Sequence, residues 1–199
     1  MSFRDFTFPQ VNAILGLTLA EANLFDKIAP LSLPPEFLAK LHGRVELALA
    51  LSTEKARSEF IIAHILVELL QMSDNGFGLF SGVEFDVDSS RGLNGVCDFI
   101  LTRSRIQSVL TAPILAITEA KNDNIRNGLG QCIASMVAAR EFNLQTSPDP
   151  TVIFGAVTTG SSWKFLKLEN AALTLDRSEY LISEPGRIMG ILTEMLKPI

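Results

Sequence analysis

The chain has 199 residues, 47% hydrophobic and 20% charged, which suits one domain, or one domain with a helical extension, built on a sizeable core. No apolar stretch reaches the roughly 18–20 residues needed to span a bilayer. The N-terminus, with Arg4, Asp5 and Pro9, lacks the basic-then-apolar run of a signal peptide, so a soluble, cytoplasmic protein without a membrane partner is expected. A net charge of −5 opposes tight, sequence-independent duplex binding by a monomer, although Arg103, Arg105, Lys121 and Arg126 are close in sequence.

Residues 1–33 are apolar and punctuated by Pro9 and Pro30, with short helices or a packed extension expected at 11–19 and 24–28. Pro34-Pro35-Glu36 opens a helix, with proline and acid where a first turn favours them, and Phe37, Leu38, Leu41, Val45 and Leu49 recur at helical spacing. A fresh N-cap at Ser52-Thr53 starts a long helix to about Gln71, ended by Asn75-Gly76 and Gly78. The texture then alternates: Phe80, Val83, Phe85 and Val87 against Ser81, Glu84, Asp86 and Asp88, a strand over 79–87.

Further strands are expected at 96–101 and 113–121, the second apolar from Ile114 to Ile117 and so central in its sheet. Residues 125–142 read as a helix, 147–150 as a loop, and 151–157 and 163–168 as strands. Residues 172–175 suit a short edge strand and 187–196 a closing helix. Short connections make the first three strands an antiparallel meander. The helix then crosses over to a strand that can pair in parallel. The fold expected is α/β, a central mixed β-sheet flanked by helices.

Cys97 and Cys132 form no Cys-x-x-Cys pair, which argues against structural zinc. Both lie in apolar segments and read as buried reduced thiols. The polar exceptions carry more chemistry. With a side-chain period of two, Glu119 and Lys121 point to the same side at the end of a buried strand. Alone, Glu-x-Lys also reads as a strand leaving the core. Asp98 sharpens the case: it sits within an apolar strand, and a buried carboxylate needs a counter-charge or a metal. If its strand neighbours that of Glu119, two carboxylates and the Ala120 carbonyl make a hard-oxygen site for Mg²⁺ or Mn²⁺. Lys121 beside it could hold an attacking water or offset charge developing on a phosphate. The competing reading is a structural ion network of Asp98, Glu119 and Lys121.

Asp98, a β-meander, then Glu119-Ala120-Lys121 resembles the PD-(D/E)XK nuclease superfamily, with Cys97-Asp98 standing where the family name has Pro-Asp. Glu59, on the helix before the meander, and Gln131, early in the helix after it, fit the same outline, as does the 158–165 stretch. The resemblance covers about residues 50–170 and implies a restriction-endonuclease-like αβββαβ core. It implies Asp98, Glu119 and Glu59 as metal-site acids, Lys121 positioning or activating the water, and Gln131 orienting the site. On that reading residues 46–199 form the domain, and residues 1–45 a helical extension packed on the core or in a homodimer contact.

Several other residues compete for a role. Glu54 is an alternative to Glu59, and Glu84 could join from the first strand. His42, His64 and Glu68 read as structural, with His64 and Glu68 spaced as an i,i+4 pair. Gly128 and Gly130 suit close helix approach to the sheet or to a phosphate. Trp163 suits core packing before base stacking. The expected function is therefore a Mg²⁺-dependent nuclease acting on nucleic acid, DNA first. The alternative is a non-catalytic binding module retaining the fold, with a partner subunit supplying DNA recognition.

Overall fold

Burial on both sides selects the centre of the sheet. In a computed structural model, which describes residues 1–146 and 152–197, β4 (Ile114–Ala120) is buried at every position. It lies between β3 (Val96–Thr102), antiparallel, and β5 (Val152–Thr158), parallel. β2 (Gly78–Glu84) completes the meander against β3. On the other side β6 (Ser162–Glu169) and β7 (Ala172–Asp176) continue the sheet in antiparallel pairings. β8 (Tyr180–Leu181) pairs with the start of β6. The sheet is mixed, in the order β1-β7-β6-β5-β4-β3-β2, where β1 is Thr18–Ala22. The expected loop at 147–150 and the start of the strand expected from 151 lie outside the described residues.

Helices cover both faces. On one lie α1 (Phe8–Leu15) and α5 (Arg126–Leu144), packed with Phe3, Phe6, Ile117, Cys132 and Val157 into one apolar cluster. On the other lie α2 (Pro35–Leu51), α4 (Ala63–Met72) and α6 (Pro185–Met195), sharing a cluster with Phe99, Ala116, Ala120 and Trp163. Among the described residues no helix is long and apolar enough to cross a membrane.

The N-terminal segment departs most from expectation. The helix expected over 11–19 ends at Leu15, because Gly16 takes the left-handed conformation at φ 65° and turns the chain. The chain then enters β1, parallel to β7 from Thr18↔Ala172 to Ala22↔Asp176. The strand expected at the edge, β7, is therefore interior. Residues 24–28 make a turn, with Ile28 N–H donating to Phe25 C=O at 3.0 Å, and no helix. The extension is not purely helical, and a division at 45/46 falls inside α2. Phe3, Phe6, Val11, Leu15 and Leu17 are buried within the chain itself, so they wrap the core.

The helix expected over 52–71 is interrupted. α3 (Glu54–Arg57) is capped by Thr53, whose hydroxyl accepts from Ala56 N–H at 3.1 Å. A π-helical turn over Ser58–Ile62 then leads into α4. Such turns re-aim side chains and recur at functional sites. Here the turn lets Ile61, Ile62, Ile65 and Leu66 all bury on the sheet.

Candidate active site

The β3–β4 ladder opens at one end. Its last main-chain pair is Phe99↔Thr118. Beyond it the Asp98 carboxylate accepts from Ala120 N–H at 2.8 Å, replacing a ladder carbonyl. A strand residue's N–H and C=O leave on the same side, so the Ala120 carbonyl is directed into the same gap. Thr118 and Ala120 face the α4 side, so Glu119 and Lys121 face α5, as a period of two requires.

Glu119 is 1% exposed. One oxygen, Oε1, takes the Lys121 ammonium at 2.6 Å, and the other, Oε2, is buried with no hydrogen-bond partner. Burial raises the Glu119 carboxyl, the neighbouring Asp98 raises it further, and Lys121 only partly opposes them. The result is a pKa of about 8.

Lys121 also approaches Gln131 of α5, with Nζ 3.4 Å from Oε1. Its main-chain N–H donates to Thr158 C=O at 2.8 Å, extending the β4–β5 pairing. The stem is held by Gly128. A Cβ there would lie 2.6 Å from Val157 Cγ1 and 2.9 Å from Lys121 Cγ. Gly128→Ala is expected to cost about 1–3 kcal/mol through overpacking and to displace the lysine. Urea denaturation reads the first effect. The second is expected to shift the amide resonances of Glu119 and Lys121 in the folded protein.

Asp98, Glu119, Lys121 and Gln131 thus meet at one end of the sheet, as the sequence suggested. Glu59 does not join them by any contact. Its carboxylate pairs with Lys55 at 2.7 Å, and its helix packs on the opposite face of the sheet. Glu54 and Glu84 are exposed, and His42 lies 3.8 Å from Glu46 in an exposed pair. His64 and Glu68 form no ion pair, and the His64 ring lies against Phe37, centroids 5.0 Å apart. Trp163 is fully buried and donates to Gly160 C=O at 3.3 Å, so it packs in the core and offers no stacking face.

Both thiols are free and buried. Burial, with Glu119 and Asp98 nearby, pushes Cys97 up to about 12 and raises Cys132 as well. Neither is a nucleophile at neutral pH. Two residues at this end carried no sequence signal for a role, Arg57 and Asn122. Arg57 reaches Thr159 across the fold, and Asn122 leaves a buried, unbonded Oδ1.

Among the described residues, no three His, Cys, Asp or Glu side chains gather as a metal-holding group. Asp98 and Glu119 with one carbonyl are a smaller donor set. Mg²⁺ is ordinarily held by one or two carboxylates and keeps several waters, and the unbonded Glu119 Oε2 fits that use. Comparison with protein-family models gives no match, and comparison with curated proteins gives none either.

Proposed function

We propose that the chain is a divalent-metal-dependent phosphodiesterase. More particularly, it is a nuclease of the PD-(D/E)XK kind that acts on nucleic acid, DNA first. The observation that carries this reading is the Glu119 carboxylate: buried, raised, half unbonded, and flanked by Asp98 on one side and Lys121 on the other. The αβββαβ order of elements supports it.

Asp98, Glu119 and the Ala120 carbonyl would hold Mg²⁺ or Mn²⁺. The cation would polarise a phosphoryl oxygen and lower the pKa of a bound water. The chain's own groups do the rest. Asp98, fixed by Ala120 N–H, sets the first carboxylate. Glu119, against the Lys121 ammonium, supplies the second carboxylate. Lys121, whose ammonium lies 2.6 Å from Glu119, would orient a water and offset negative charge growing on the phosphate. Gln131 holds the ammonium on the α5 side. Glu59, already paired with Lys55, is given no part.

The net charge of −5 favours a second reading, a non-catalytic module that keeps the fold and works with a basic partner subunit. One experiment separates the two. Labelled single- and double-stranded DNA is incubated with the protein while Mg²⁺ or Mn²⁺ is titrated. Metal-dependent cleavage that Asp98→Asn abolishes supports the nuclease. No cleavage, together with no divalent-ion binding by calorimetry, rejects it in favour of the module.

A further inference from the structure

The sheet ends in β1 on one side and β2 on the other, and the chain treats these edges differently. An edge strand carries main-chain N–H and C=O groups that another strand can pair with, so exposed edges are usually guarded. β2 is guarded in its own chain. Gly82, at φ +63°, is skipped in the register between Ser81↔Phe99 and Val83↔Cys97, which bulges the strand. The Gln107 side chain also takes the place of a neighbouring strand. Its Oε1 accepts from Leu79 N–H, and its Nε2 donates to Phe77 C=O, both at 3.0 Å.

β1 has no such cover among the described residues. Thr18 N–H donates to Ala171 C=O at 2.8 Å, and Ala22 C=O accepts from Arg177 N–H at 2.9 Å. In the parallel ladder with β7 the inward and outward residues alternate. Thr18, Ala20 and Ala22 therefore bond to β7, and Leu19 and Glu21 direct both main-chain polar groups outward. Leu19 and Glu21 are exposed. The run Thr18-Leu-Ala-Glu-Ala22 contains no proline, lysine or glycine to discourage pairing.

The order of residues in β1 also selects an occupant. An antiparallel pairing about Ala20 sets Ala20 against Ala20, the smallest contact at the dyad. Leu19 N–H then donates to Glu21 C=O of the second copy, whose Glu21 N–H returns to Leu19 C=O. The two-fold axis repeats the exchange. Each Glu21 lies opposite a Leu19 and not opposite the other Glu21, so no like charges face each other directly. Leu19, which neighbours Leu173 on the α1–α5 side and is 38% exposed, gains the stem of that glutamate as a cover. We propose that β1 is a self-association edge, on which a second copy of this chain adds its own β1 in antiparallel register and continues the sheet across a two-fold axis.

A ladder this short belongs with small, reversible interfaces. Sedimentation equilibrium of the full chain, from micromolar to near-millimolar concentration, should show a monomer–dimer equilibrium. Amide exchange in the unmodified protein locates the contact. Concentrating the sample should slow exchange at Leu19 and Glu21 several-fold and leave Ser81 of β2 unchanged. Glu21→Pro removes an outward donor while keeping the residues that bond to β7. It should raise the dissociation constant about tenfold or more, whereas Glu21→Gln should still dimerise. A monomer throughout the range overturns the inference. So does a dimer whose Leu19 and Glu21 amides gain no protection, or one protected at Ser81 instead. Folded Glu21→Pro protein that associates like the parent also overturns it.

Discussion

Lys121→Met is expected to lower metal-dependent DNA cleavage about 10²–10³-fold, the usual loss when one preorganised donor aimed at developing charge is removed. Methionine keeps the unbranched stem against Gly128, so packing there is largely preserved. What disappears is the ammonium 2.6 Å from Glu119. That loss has a second consequence. Lys121 is the group that holds the Glu119 carboxyl down against burial and Asp98. Without it the carboxyl rises further, and a cation must displace a more tightly held proton. The variant should therefore show both a slower limiting rate at saturating Mn²⁺ and a metal-binding profile moved to higher pH. Single-turnover cleavage at several pH values separates the two. A variant that cuts like the parent protein removes Lys121 from the chemistry and leaves it as a structural counter-ion.

Divalent-ion binding should itself be strongly pH-dependent. Below about 8 the Glu119 carboxyl holds a proton that a cation must expel. Affinity should therefore climb roughly tenfold per pH unit on the acid side of that value and level off above it. Calorimetry at neutral pH in buffers of different ionisation enthalpy should report about one proton released per ion bound. The same group governs stability of the metal-free protein, with the opposite direction. In the unfolded chain Glu119 loses its proton near its ordinary value of 4.5, whereas the folded protein keeps it up to about 8. Between those values the native state binds more protons than the unfolded one. Its contribution is thus fully present below the lower value and is lost as pH rises through the upper one. Glu119→Gln should flatten that decline and weaken divalent-ion binding at every pH. If proton release and the stability slope both survive the substitution, the titrating group lies elsewhere.

How much of the site was legible depended on the kind of signal each residue left. Asp98, Glu119 and Lys121 announced themselves because charges in apolar, alternating segments violate a local pattern, and a period of two puts Glu119 and Lys121 on one side. The meander between them was legible for the same reason, since short connections leave antiparallel pairing as the simple solution. Gln131 came from the resemblance and fell within reach of Lys121. Glu59 came from the same source, and its carboxylate is instead satisfied one helical turn away by Lys55. A helix position does not reveal which neighbour a flexible acid will choose.

The amino-acid sequence by itself determined the order of helices and strands from β2 through α5, the central burial of β4, and the shared side of Glu119 and Lys121. These depend on periodicity and on flanking apolar residues, which are local properties. The tertiary structure alone decided that residues 18–22 form a strand. Mostly exposed and short, that segment becomes β1 only through its ladder with β7 near the other end of the chain. It also decided that Arg57 meets the turn after β5, and that one Glu119 oxygen is left unbonded. Each of these rests on contacts between residues far apart in sequence, whose partners are chosen by packing and by which polar groups remain unsatisfied once the core has closed.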